Sequence, residues 1–92
     1  MATELIATGS AAATSADFDV TDPVTVFLKD MGEVLRGDRR GMQAFIEIKD
    51  SDGGYHPVGT LGQHVSAAVI AGPGTYRVRR DEGGVQFGVE SS

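Results

Sequence analysis

Three features of this chain predict an all-β fold, a single small β-sandwich. Apolar and polar residues alternate over short runs, turn-forming residues separate the runs, and a proline–glycine corner launches one of the strands. The corner is Gly72-Pro73-Gly74-Thr75-Tyr76-Arg77-Val78-Arg79. Pro73 sets φ for a turn, Gly74 accepts a positive φ, and Tyr76 and Val78 share one strand face. A tyrosine so placed can hydrogen-bond back across the corner, as in the tyrosine corners of sandwich folds. Immunoglobulin-like and jelly-roll windings both fit this pattern, with an extended N-terminal arm preceding the sandwich.

From the N-terminus, Glu4 to Thr8 reads as a short strand. The small, weakly polar run Gly9-Ser10-Ala11-Ala12-Ala13-Thr14-Ser15-Ala16 reads as a flexible or extended arm rather than a helix, because Gly9 and the Ser and Thr residues weaken helix formation. Residues 1–16 are therefore expected to be strand plus arm, and residues 17–92 the sandwich. Val24, Val26 and Leu28 share a face of the next strand. Ala44, Ile46 and Ile48 then point one way, and Gln43, Phe45, Glu47 and Lys49 the other. Asp50-Ser51-Asp52-Gly53-Gly54 has hairpin-loop chemistry. Tyr55 to Leu61 returns as a strand in which Pro57 marks an edge or a bulge. Ala67 to Ile70 forms a further strand, and Thr75 to Arg79 is expected to pair with Val85 to Val89 through Asp81-Glu82-Gly83-Gly84. The glycine-rich, mixed-charge segment Met31 to Gly41 is expected to be an exposed loop.

A chain of 92 residues has room for one domain and keeps much of its surface in water, so packing against a partner is an expected source of stability. It has no cysteine, which removes disulfides and thiolate metal sites. A net charge of −5 repels nucleic-acid backbones and anionic membranes. No apolar run reaches membrane-spanning length, and Met1-Ala2-Thr3-Glu4 lacks the basic start of a secretory signal. The expectation is a soluble chain made in the cytoplasm, with no nucleic-acid or membrane partner.

No catalytic, metal-ligating or cofactor-binding residue is expected. Asp50, Asp52 and Gly53 resemble the opening of a calcium loop, but Leu61 stands where the closing glutamate belongs, which leaves the hairpin reading. His56 and His64 lack metal-ligand spacing, and no serine sits in a strained nucleophile turn. Arg36-Gly37-Asp38 spells an adhesion tripeptide short enough to arise by chance, and a solvated turn is the favoured reading. Arg36, Arg39 and Arg40 form a basic cluster on an acidic protein, joined in sequence by Arg77, Arg79 and Arg80. Guanidinium groups suit interfaces because they bind carboxylates bidentately and stack on rings. Phe45, placed by alternation opposite the apolar face, is a candidate anchor. With Leu5 and Ile6 of the N-terminal strand, the candidate interface residues are Leu5, Ile6, Arg36, Arg39, Arg40, Phe45, Arg77 and Arg79.

The order of Ile6-Ala7-Thr8-Gly9 and its Ala/Ser/Thr run, Ala16-Asp17-Phe18, Glu47-Ile48-Lys49-Asp50-Ser51 and Gly72-Pro73-Gly74-Thr75-Tyr76-Arg77-Val78 resembles small β-sandwich structural proteins of tailed bacteriophages. The resemblance implies a non-enzymatic virion component, without cofactor, that cements or decorates the capsid shell by binding the major capsid protein or another virion protein. It also implies a homo-oligomer whose N-terminal arm lies across neighbouring subunits. A tail, neck or fibre-attachment module, or a host-surface binding module, is the alternative. A free carbohydrate-binding sandwich is disfavoured, because the chain has no tryptophan and only Tyr55 and Tyr76 as tyrosines.

Overall fold

The computed structural model describes residues 3–29, 43–62, 65–82 and 86–92. Nine strands run through these residues: β1 (Thr3–Gly9), β2 (Ala13–Thr14), β3 (Phe18–Val20), β4 (Val24–Lys29), β5 (Gln43–Lys49), β6 (Tyr55–Gly62), β7 (Ala67–Ile70), β8 (Gly74–Arg80) and β9 (Phe87–Ser91). They form two antiparallel sheets. The first has the order β1-β9-β4-β7, and the second has the order β2-β8-β5-β6 with β3 also on β8.

The pairing is nested about the Asp50–Gly54 turn. β5 pairs with β6, β4 with β7, β3 and β2 with β8, and β1 with β9. The chain is thus one long hairpin rolled up on itself, and the contacts β4–β9 and β5–β8 close the roll. Taken as one interrupted strand, β2 and β3 complete the winding order of a jelly roll, which decides between the two windings that the sequence left open. Ser15 spans the interruption: its backbone N–H donates to Val78 O at 2.8 Å, and its Oγ accepts from Val78 N at 2.9 Å.

Alternation builds the core between the sheets. Ile6, Val26, Leu28, Ile70, Phe87 and Val89 point in from the first sheet, and Val20, Ala44, Ile46, Leu61, Tyr76 and Val78 from the second. The corner forms as its residues require. Tyr76 Oη donates to Gly72 O at 2.8 Å, Phe18 stacks on the Tyr76 ring, and Gly74 has φ +155°. The Asp50 turn is equally specific: Asp50 Oδ1 accepts from the N–H of Asp52 and of Gly54, and Gly53 adopts φ +88°. Pro57 lies in edge strand β6, where Val58 bulges out unopposed between the pairs Ile46–Gly59 and Glu47–Pro57.

Three expectations are corrected. Within residues 3–16 the expected strand forms as β1, which pairs with β9, whereas the Gly9–Ala16 run is not left flexible: β2 pairs with β8, because backbone hydrogen bonding holds the run where side-chain bulk is scarce. β8 does not form a hairpin with β9. The chain crosses between sheets there, so β8 pairs with β5 and β9 with β4. Arg80 belongs to no outward basic cluster, because the period that buries Tyr76 and Val78 buries it too, at 5% exposure. The expected loop from Met31 to Gly41 and the strand position of Val85 lie outside the described residues.

Gly88 sets a tight local constraint. A Cβ there would lie 2.8 Å from Ile6 O and 2.6 Å from Lys29 Cε, because the Lys29 stem crosses over β9 toward Glu4 of β1, with which it pairs. Gly88→Ala is expected to destabilise the fold by about 1–3 kcal/mol through overpacking, measured as a lower denaturation midpoint at unchanged slope. Tyr76→Phe removes only the corner hydrogen bond, and the same measurement is expected to show a loss of about 1 kcal/mol.

Candidate functional site

The outer face of the second sheet gathers the exposed chemistry. Register places Phe45 beside Arg79, and Glu47 beside Arg77, on the adjacent strands β5 and β8. Since Ala44, Ile46, Tyr76 and Val78 take the inner face, strand alternation sends these four side chains out together.

They form a continuous array. Arg77 Nε donates to Glu47 Oε1 at 2.7 Å, and the Arg77 guanidinium lies 3.5 Å above the Tyr55 ring. Arg79 sits 4.7 Å from the Phe45 ring centroid, within 3.6 Å of Glu47 Oε2, and donates from Nη1 to Asp81 Oδ1 at 2.5 Å. The Tyr55 hydroxyl donates to Asp17 at 2.8 Å, and Lys49 Nζ stands 3.4 Å from Asp17 Oδ2. Donation to Asp17, followed by burial, holds the Tyr55 phenol above its ordinary pKa, so the ring stays a neutral stacking surface.

The electrostatics of this face differ from those of the chain. Asp17, Glu47 and Asp81 offset Lys49, Arg77 and Arg79, so the array is neutral on a protein of net charge −5. Glu47 is the hub. Its side chain is only 9% exposed, and both arginines attend it. Two guanidinium planes are thereby held on two aromatic rings.

Of the sequence-predicted residues, the structure brings together Phe45, Arg77 and Arg79. Ile6 is corrected to a core residue at 4% exposure, since it points inward from β1 between the sheets. Leu5 is half-buried and lies in the β1–β2 region, on the wall of a different depression. Arg36, Arg39 and Arg40 lie outside the described residues. Sequence reasoning missed Glu47 and Tyr55 as members of the array. Glu47 could have been found from its outward parity beside Phe45, but its pairing with Arg77 follows only from the β5–β8 register.

At the turn end of the same sheet, Asp50 Oδ2 lies 2.7 Å from His56 Nε2. The Asp50 carboxylate is thus committed to its own loop and to His56, consistent with a turn rather than half of a calcium loop. Among the described residues no group of three or more His, Cys, Asp or Glu side chains could hold a metal ion. No protein-family model, curated protein or solved structure matches the chain.

The hydrogen bond from His56, then that from the Gly54 N–H, lowers the Asp50 pKa below its ordinary 3.8. A carboxyl whose folded pKa lies below its unfolded one stabilises the fold above the unfolded value. That contribution is lost as pH falls through the folded value. His56→Ala is therefore expected to raise the Asp50 midpoint in an NMR titration of the side-chain carboxyl carbon, and an unmoved midpoint would remove His56 as the main cause.

Proposed function

We propose that this chain is a non-enzymatic virion structural protein of a tailed bacteriophage that decorates or cements the capsid shell. It binds the major capsid protein lattice through the outer face of the second sheet. The observation that carries the reading is the array of Phe45, Arg79, Glu47, Arg77 and Tyr55, in which guanidinium groups are already seated on rings and carboxylates. Arginine and aromatic side chains dominate the energetics of protein interfaces, most of all where they are held in place before contact.

Charge favours the same face. Many copies of an acidic chain packed on a shell repel one another, and a neutral contact surface adds nothing to that repulsion. Each copy contributes a modest contact, and the repeating lattice multiplies it through avidity. The jelly-roll winding agrees with the order of sequence motifs that resembles phage sandwich proteins, and supports the reading at the level of fold only.

Two measurements test it. Quantitative mass spectrometry of purified particles is expected to find this chain in proportion to the major shell protein. A count tracking a tail component would move it to the neck or tail, and absence would end the virion reading. Arg79→Glu leaves the core untouched and is expected to weaken binding to shells lacking the protein by roughly tenfold or more, the scale of one interface hot spot. Undiminished binding would remove this face as the contact.

A further inference from the structure

Away from that face, the crossover from β1 to β2 frames a shallow cavity of about 490 Å³, open to solvent. Its walls are largely apolar or backbone, among them Leu5, Ala7, Gly9, Ala11 and Ala13, and Arg80 lines it from within the fold. Arg80 is 5% exposed. Its Nε donates to Ala11 O at 2.8 Å, and its Nη1 donates to Ala7 O at 2.8 Å and to Phe87 O at 2.6 Å.

Those bonds use every hydrogen on Nε and Nη1 and leave both on Nη2 uncommitted. Among the described residues Nη2 meets no acceptor, and no carboxylate lies within ion-pair distance of Arg80. No buried side-chain nitrogen or oxygen of the described residues lacks a partner, so Nη2 reaches the solvent side. It does so beneath Gly9, where an added Cβ would stand 3.3 Å from it. A guanidinium taken out of water and solvated on two nitrogens by carbonyl dipoles keeps its full charge, directed at the one opening left.

We propose that this cavity is a binding site for a carboxylate on a short aliphatic stem, with the carboxylate on Arg80 Nη2 and the stem against Leu5 and the alanines. Charge-assisted N–H···O⁻ bonds are the strong ones, and one guanidinium edge matches a single negative charge. A phosphate dianion would carry a second charge into apolar walls with no second cation to meet it. The carboxylate can come from a free small acid or from an acidic side chain of a partner protein. The cavity volume suits either.

The test uses the 92-residue chain and two-dimensional ¹H–¹⁵N NMR, including the Arg80 side-chain resonances. Sodium butyrate is expected to shift signals from Leu5 to Thr14 and from Arg80, with butyramide, its neutral counterpart, binding roughly tenfold more weakly or not at all. A capped alanine peptide bearing one glutamate, compared with its glutamine analogue, identifies the source: saturation by the peptide at lower concentration than by butyrate assigns the site to a protein side chain, and the reverse to a free acid. Gly9→Leu, whose side chain covers Nη2, is expected to abolish the shifts while the spectrum stays dispersed. Should that variant fail to fold, the comparison of butyrate with butyramide still decides. Equal responses to the two, or none to butyrate and to either peptide, would overturn the proposal.

Discussion

The run between β1 and β3 has almost no apolar bulk with which to hold itself to the sandwich, yet it must carry the chain from one sheet to the other. It is held by polar bonds drawn from β8. Arg80 gathers carbonyls of β1, of the crossover and of the residue that opens β9, and Ser15 satisfies both backbone groups of Val78. Small residues are what such a segment needs, because the guanidinium must reach backbone atoms that larger side chains would screen. Burial pulls the Arg80 pKa down, but the group stays a cation at any pH at which the protein folds. The closure is therefore permanent rather than switchable.

The outer face of the second sheet depends on the same strand. β8 sends Arg80 inward to tie the N-terminal segment and sends Arg77 and Arg79 outward to form the array, so adjacent residues of like chemistry serve opposite sides of one sheet. Glu47 links the two by sitting on β5, the strand that β8 must pair with to close the roll. Removing Glu47 would leave two guanidinium groups without the carboxylate they share.

Local chemistry made much of this legible in the sequence. The Tyr76 corner, the Asp50 turn, the inward set of Ala44 and Ile46 and the outward position of Phe45 all follow from turn residues and a period of two. What could not be read is what depends on distant pairing. Thr75 to Arg79 next to a Gly-Gly turn suggests a hairpin by proximity, whereas β8 finds its partners in β5, β2 and β3. Ile6, in the expected N-terminal strand, reads as an interface residue because nothing in residues 1–16 announces pairing with residues near 90. Arg80 was misassigned for another reason: parity pointed inward, but a charged residue is read as solvated unless its acceptors are visible, and these are backbone carbonyls from far along the chain.

The bulge at Val58 bears on how copies of this molecule can meet. β6 is an edge strand, and a regular edge offers a row of free N–H and C=O groups on which a neighbour's strand can grow. Here Pro57 removes one donor, and the unopposed Val58 breaks the spacing of the rest. The second sheet therefore has no template for extension on this side. Ladder-like, fibre-forming strand addition is thereby disfavoured at β6.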